Sequence, residues 1–239
     1  MNSAREDTSM DKTQSERAAE FFGERAADYE TFIPRLVPRY WDAMEVLMSM
    51  IPFERDRAIG VLDIGAGTGL LARTVLDAYP NARLLAIDAS QDMLDQCAQN
   101  LTRFGDRLTL RRGLFPDVDI GGGYDLVVSG LALHHLTDAD KRHGFQTIFE
   151  ALAPGGAFLA HDYVKAETAA VGAQYETLFW REAEESGDDL SWFREHRKAD
   201  IPATVSDQLD WMRAAGFGDV DCHWRRLVYA VFGGRKPDV

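Results

Sequence analysis

The 239-residue sequence predicts an α/β protein built on a doubly wound, largely parallel sheet. Two observations carry that expectation. From Pro52 onward, short apolar runs alternate with helical patterns, and such alternation produces parallel strands joined by right-handed helical crossovers. The first of these runs, Val61-Leu62-Asp63-Ile64, enters a glycine-rich turn, Gly65-Ala66-Gly67-Thr68-Gly69. A turn of that composition lets backbone N–H groups approach a ligand at the carboxyl edge of the sheet.

Taken in order, residues 1–16 are polar with almost no apolar periodicity, which predicts a mobile tail. From Arg17 the pattern becomes helical, with Ala18, Phe21, Phe22, Arg25, Ala26 and Tyr29 on one face, and a second helix is expected from about Val37 to Met50. Residues 17–52 thus form a helical segment ahead of the main domain, 53–239. There a strand is predicted near Ile59–Ile64, a helix over Gly69–Tyr79, a strand at Arg83–Asp88, and a helix that opens at the N-cap Ser90. A third strand follows near Leu108–Arg111 and a fourth at Tyr124–Ser129. Thr137-Asp138-Ala139-Asp140 then starts a helix ending near Leu152. Strand five, Gly156–Asp162, leads into a forty-residue insertion, 163–203. A helix from Ser206 ends at Gly216, a glycine suited to a C-terminal cap. The strands Asp219–Trp224 and Leu227–Phe232 are separated only by Arg225 and Arg226, and so short a connection makes them antiparallel.

Two acids stand out on this frame. Asp63 lies just before the glycines, where it would repel a pyrophosphate but suits a cationic ligand with an ammonium or sulfonium group; this argues against a nicotinamide-dependent oxidoreductase. Asp88 ends the second strand, where a carboxylate accepts two ribose hydroxyls through charge-assisted hydrogen bonds. Gly65, Ala66 and Gly67 should face the ligand through their backbone, and a side chain at Gly67 should crowd that approach.

These residues resemble motif I of the class I S-adenosylmethionine (SAM)-dependent methyltransferases. Tyr124–Ser129 is similar to that family's fourth strand, Leu131-Ala132-Leu133-His134-His135-Leu136 to the segment after it, and Leu152-Ala153-Pro154-Gly155-Gly156 to the turn into strand five. The resemblance implies a Rossmann-like seven-stranded sheet of order 3-2-1-4-5-7-6 with the last strand antiparallel, SAM as cofactor, and a cofactor site that also takes in Ala89, Met93, Leu114, Phe115 and Gly130. Leu114 stands where many members carry an acid for the adenine amino group; the alternatives are Phe115 packing on the ring with a backbone group taking the amine, or Asp117 as a substitute acid. The segments Phe22–Tyr29 and Ile33–Tyr40 resemble the amino-terminal part of the carboxy-SAM synthase branch, relatives of the tRNA wobble-uridine pathway, in which the tyrosine matching Tyr40 reaches the cofactor. Such a segment would act as a helical lid over the sulfonium. In that branch an arginine near Arg194 and Arg197 holds the extra carboxyl group, and an asparagine occupies the position of Gly130.

Methyl transfer needs an acceptor held near attack distance, with a general base only where the acceptor is protonated. His134, His135 and Asp162 follow strands four and five at the same edge and are the candidates for that work. The insertion, rich in aromatics such as Tyr175, Phe179, Trp180 and Trp192, should form a helical cap that shapes the acceptor pocket. A metal site would need a third convergent ligand such as His196 or Glu185, and the spacing supports none, so no metal is expected.

Bulk properties agree. A formal net charge of −13, from 26 Lys and Arg against 39 Asp and Glu, disfavours nucleic acid and favours a small-molecule methyl acceptor. No apolar run reaches a membrane span and the start lacks a signal-peptide core, so a cytoplasmic enzyme is expected. Cys97 and Cys222, the two cysteines, fall on a helix and a strand and predict no disulfide. The main expectation is transfer of a methyl group to oxygen, nitrogen or sulfur of a small molecule. A carboxy-SAM synthase-like or tRNA-pathway protein, and a SAM-binding module without turnover, are the alternatives, and the branch resemblance also suggests a homodimer.

Overall fold

A computed structural model describes residues 14–185 and 187–238. Its centre is a seven-stranded sheet of order β3-β2-β1-β4-β5-β7-β6, the order implied by the resemblance. The strands are β1 (Gly60–Ile64), β2 (Arg83–Asp88), β3 (Leu108–Arg112), β4 (Tyr124–Gly130), β5 (Leu152–Tyr163), β6 (Gly218–Arg226) and β7 (Tyr229–Arg235). All neighbours from β3 to β5 pair in parallel, whereas β7 runs antiparallel to both β5 and β6. The order reverses between β1 and β4, so the crevice that a doubly wound sheet offers to ligands opens beside the end of β1.

Alternation along each strand divides the core in two. Val61, Leu84, Ala86, Leu126, Val128 and Leu159 face one layer, which is completed by α3 (Tyr40–Ser49), α4 (Leu70–Ala78) and α5 (Gln91–Asn100). Leu62, Ile64, Ile87, Val127, Phe158 and Phe232 face the other, against α6 (Asp138–Ala151) and α9 (Val205–Ala215). Both faces are buried, which is why these strands read as near-continuous apolar runs. Ser90 Oγ accepts from Met93 N at 3.3 Å and Thr137 Oγ1 from Asp140 N at 3.2 Å, and α9 ends on Gly216 at φ 109°, as their caps predict.

Several boundaries differ from expectation. Residues 1–13 of the expected tail lie outside the described residues, and 14–16 already belong to α1 (Gln14–Gly23). The single helix expected from Arg17 is two, because the chain breaks at Gly23–Arg25 before α2 (Ala26–Leu36). Pro34 sits inside α2, and the next helix starts only at Tyr40, after Arg39 adopts a left-handed φ of 61°. Strand five begins four residues early because pairing to β4 starts at Tyr124–Leu152 and resumes, with a shifted register, at Leu126–Ala157. The hairpin between β6 and β7 turns at Leu227, φ 50°, rather than at Arg225–Arg226, which remain paired in β6. The insertion after β5 forms α7 (Ala169–Glu184) and α8 (Ser191–Arg197), with Phe179 and Phe193 buried against the sheet. Among the described residues no helix is long and apolar enough to cross a membrane.

Candidate active site

Three adjoining cavities lie along the carboxyl edge of the sheet. The largest of the three encloses about 720 Å³, counting the space at its mouth that is open to solvent. Its walls include Gly65, Gly67, Asp88, Ala89, Met93 and, opposite them, Leu114, Phe115 and His135. A second, about 380 Å³, lies over the end of β1 and is lined by Tyr40, Asp63, Gly65, Ala66, Gly67 and Gly130. The third, about 340 Å³, lies beneath the cap and is lined by His134, Tyr163, Phe193, His196, Arg197 and Asp200. All eleven predicted cofactor-site residues therefore border the first two cavities.

The turn after β1 owes its shape to glycine. Gly65 has φ +68°, and a Cβ built there would lie 2.3 Å from the Cβ of Ala132, so no other residue fits without movement. Its N–H and that of Ala66 both donate to Ile87 O, at 2.9 and 3.0 Å, which locks the turn to the neighbouring strand. At Gly67 a Cβ would meet, within the protein itself, only Tyr29 Cε1, at 3.9 Å, so any crowding there would be of a ligand. What requires glycine there is φ +55°.

The two acids occupy contrasting environments. Asp63 is wholly buried, and neither carboxylate oxygen makes a hydrogen bond of normal geometry. Burial, with the Asp88 charge nearby, pushes its pKa up to about 8, and the Ala72 N–H offsets this only in part. Asp88 is half-buried and well supplied: Oδ2 accepts from Gly67 N and Oδ1 from Ser90 N, each at 2.8 Å. Burial still raises its pKa against those backbone bonds. Each of its oxygens retains a lone pair for a ligand hydroxyl. The walls thus offer a buried acid without a counter-charge at one end and a pre-oriented carboxylate with open lone pairs at the other.

His134 and His135 lie on a 3-10 turn, Leu133–His135, directly after β4. Asp162 is not at the cavity wall. Its carboxylate is fully buried behind His134 and meets His134 Nδ1 at 2.7 Å, so it acts on the imidazole rather than on anything in the cleft. Burial lowers the His134 pKa, but Asp162 and Asp200 together outweigh it and raise the value. Burial and the charge of His134 lower that of His135, against the pull of Asp200. Two adjacent imidazoles are thereby driven apart in proton affinity, the pattern that separates acid from base roles.

Sequence reasoning missed three residues. Tyr29, on α2, and Leu131, after β4, each border all three cavities. Tyr29 was legible only as part of an apolar helical face. Leu131 holds φ 56°, a strained conformation for a branched residue that no local pattern announces. The third, Asp200, lines the cavity beneath the cap with His134 and His196. Arg194 and Arg197, the positions expected near a carboxyl group, are both engaged: Arg194 Nη2 bonds Glu184 at 2.6 Å and Arg197 Nη2 bonds Glu176 at 3.0 Å.

A sequence model of the methyltransferase domain family matches residues 61–156. A malonyl-[acyl-carrier protein] O-methyltransferase of Chlorobium phaeovibrioides is 33% identical over 204 residues, which cover 78% of this chain and 75% of that protein. A carboxy-S-adenosyl-L-methionine synthase of Nautilia profundicola is 20% identical over 221 residues, covering 91% of this chain and 94% of its own. The solved structure of an O-methyltransferase family protein from Burkholderia thailandensis superposes with a TM-score of 0.64 at 18% identity, over 92% of this chain and 60% of that one; the present chain spans three-fifths of its length. With the glycine turn, the two strand-end acids and the sheet order already in place, these matches identify the chain as a member of the class I SAM-dependent methyltransferases.

Proposed function

We propose that the enzyme transfers the methyl group of SAM to oxygen, nitrogen or sulfur of a small molecule held in the cavity beneath the cap. The observation that carries this reading is the buried, unpartnered carboxylate of Asp63 beside a glycine cradle, continuous with a separate inner pocket lined by histidines. Asp63 fits a cofactor ammonium, which would restore its charge. Asp88 would take the ribose hydroxyls, Gly65–Gly67 the amino-acid backbone, and Met93, Leu114 and Phe115 would enclose the adenine. Bound there, SAM supplies a methyl carbon on a cationic sulfur that leaves as a neutral thioether.

The chain's own part is positioning and exclusion of water. Tyr29 and Leu131, at the junction of the cavities, would flank the path between donor and acceptor. His135, kept neutral, would take a proton from a hydroxyl or thiol acceptor, with His134 oriented beside it by Asp162. The helices of residues 17–52 contribute Ala18, Phe22 and Tyr29 to the cleft wall and would close it as a lid. The inner pocket is small and the net charge is −13, which supports a small acceptor over nucleic acid.

A second reading, a carboxy-SAM synthase-like enzyme, is favoured by the full-length similarity to such proteins and by Tyr40 beside Asp63 in the second cavity. The pairing of Arg197 with Glu176 weighs against it. Mass spectrometry of the molecule released from freshly purified, denatured protein separates the two. SAM or its demethylated product supports methyl transfer and directs a screen of small acids, alcohols and thiols; the carboxylated cofactor overturns it.

A further inference from the structure

We propose that His134, His135 and Asp200 form a binding site for one divalent first-row transition metal ion, with an open position facing the inner pocket. Residues from two distant segments meet there. The imidazoles lie on the 3-10 turn after β4, and Asp200 lies three residues beyond α8. One ligand atom from each lies within 4.8 Å of the other two. His135 Nδ1 is 3.1 Å from Asp200 Oδ1, and His134 Nε2 is 3.9 Å from Asp200 Oδ2. Metal–ligand bonds of about 2.0–2.2 Å at tetrahedral angles separate donors by roughly 3.3 Å, close to the His135–Asp200 separation, and the remaining donor would draw in around an ion.

The surroundings are those of a metal site. Asp162 Oδ1 holds His134 Nδ1 at 2.7 Å, which places the proton on that nitrogen and turns the Nε2 lone pair towards Asp200, the carboxylate–histidine arrangement that orients metal-binding imidazoles. The Asp200 side chain is 2% exposed, and its Oδ1 lies 3.1 Å from His135 Nδ1 and 3.6 Å from His196 Nε2; that His196 nitrogen is buried and makes no hydrogen bond. A buried imidazole nitrogen without a partner is costly unless a polar group or an ion comes beside it. The two segments are tied together by groups outside the cluster. Ile201 N donates to His134 O at 2.8 Å, and the buried Lys141 ammonium bonds both Leu136 O and Ile201 O. The cluster's geometry is therefore held whether or not an ion is bound.

Two imidazoles and one carboxylate favour zinc, iron(II), cobalt(II) or nickel(II) over magnesium or calcium, which prefer all-oxygen shells. The sequence expectation of no metal rested on the want of a third ligand, and Asp200 supplies it. The role of the ion rests on the acceptor reading of the inner pocket and would replace the general-base role given there to His135: a hydroxyl or thiol bound at the open position would release its proton to water more readily and face the methyl donor as an anion.

The test is cobalt(II) and zinc titration of the untagged, chelator-stripped full-length chain, followed by equilibrium dialysis with elemental analysis. One equivalent bound at micromolar affinity or tighter is expected, weakened at least tenfold in Asp200→Asn and in His135→Gln and unchanged in His143→Gln, an exposed histidine outside the cluster. X-ray absorption of the cobalt-loaded wild type should report two imidazoles and needs no variant to fold. Uptake below a tenth of an equivalent, or affinity indifferent to Asp200→Asn, overturns the proposal. Methyl transfer by a chain that takes up no metal overturns the metal site alone. Stoichiometric metal with no transfer to any small acceptor supports the site and counts against the acceptor reading.

Discussion

The cofactor edge and the histidine cluster each bury an aspartate, and the two are treated oppositely. Among the described residues Asp63 has no cation of its own, and burial beside Asp88 pushes it up to about 8. Burial also works against the ionised form of Asp200, yet His134, His135 and His196 outweigh it and bring the carboxyl down to about 2. One region is electrostatically incomplete without a ligand, whereas the other carries its own balancing groups. A buried acid whose ionised form the fold leaves uncompensated is a candidate recognition element, and the fold bears the cost of keeping it protonated until a cationic ligand arrives.

The largest expected effect tests that claim directly. Asp63→Asn should weaken SAM binding about a hundredfold, from loss of a charge-assisted contact, and at the same time raise the stability of the ligand-free chain by about 1–3 kcal/mol, because the unfolded chain no longer gains by ionising a residue that burial keeps protonated. Calorimetric titration and thermal unfolding check the two signs. The same acid sets a pH dependence. Between the unfolded value of 3.8 and the folded value of about 8, the native chain holds a proton that the unfolded chain has released. Its contribution to stability is therefore full below pH 4 and falls as pH rises through 8. Asp63→Asn should flatten that slope. For the same reason SAM binding at pH 7 should release close to one proton, read from heats of binding in buffers of different ionisation enthalpy; no release would mean that Asp63 is already charged.

Next in size is the glycine turn. Gly65→Ala should cost about 2–4 kcal/mol, from the contact with Ala132 and the left-handed backbone together. Adding Ala132→Gly should recover only the contact part, since φ remains +68°. Thermal melts of the single and double variants separate the two causes. Asp88→Asn sharpens the contrast with Asp63. The amide keeps one acceptor where Gly67 N and Ser90 N now use two, so both SAM affinity, by about tenfold, and ligand-free stability, by about 1 kcal/mol, should fall.

Much of the first region was legible in the sequence because it is local. The apolar period located β1 and β2, and Asp63 and Asp88 are assigned by their place at strand ends. The second region is not local. Tyr29, Leu131, His134, His196 and Asp200 come together from segments that share no pattern, and Asp200 lies past the end of α8, where helical periodicity says nothing. The second helix was expected from Val37 but begins at Tyr40, because α2 runs through Pro34 to Leu36 and the break falls at Arg39. Packing of Ile33 and Leu36 against the core outweighs the local preference of proline.

The smallest effect concerns how the two regions are joined. Glu30, one residue after Tyr29 on α2, accepts from Arg73 Nη1 at 2.7 Å on α4 and from Asn100 Nδ2 at 2.9 Å on α5, and Asn100 also bonds Thr68 O in the glycine turn at 3.1 Å. The amino-terminal helices are thus clasped to the glycine turn after β1. The Glu30 and Arg73 side chains are 21% and 32% exposed, so the pair is worth about 1 kcal/mol or less. Glu30→Gln keeps the Asn100 contact and removes the ionic one. If the helices open and close over the cofactor, that loss should speed SAM dissociation a few-fold in stopped flow while thermal stability stays nearly unchanged. An unchanged dissociation rate would make these helices a fixed wall of the cleft, with exchange of the cofactor governed elsewhere.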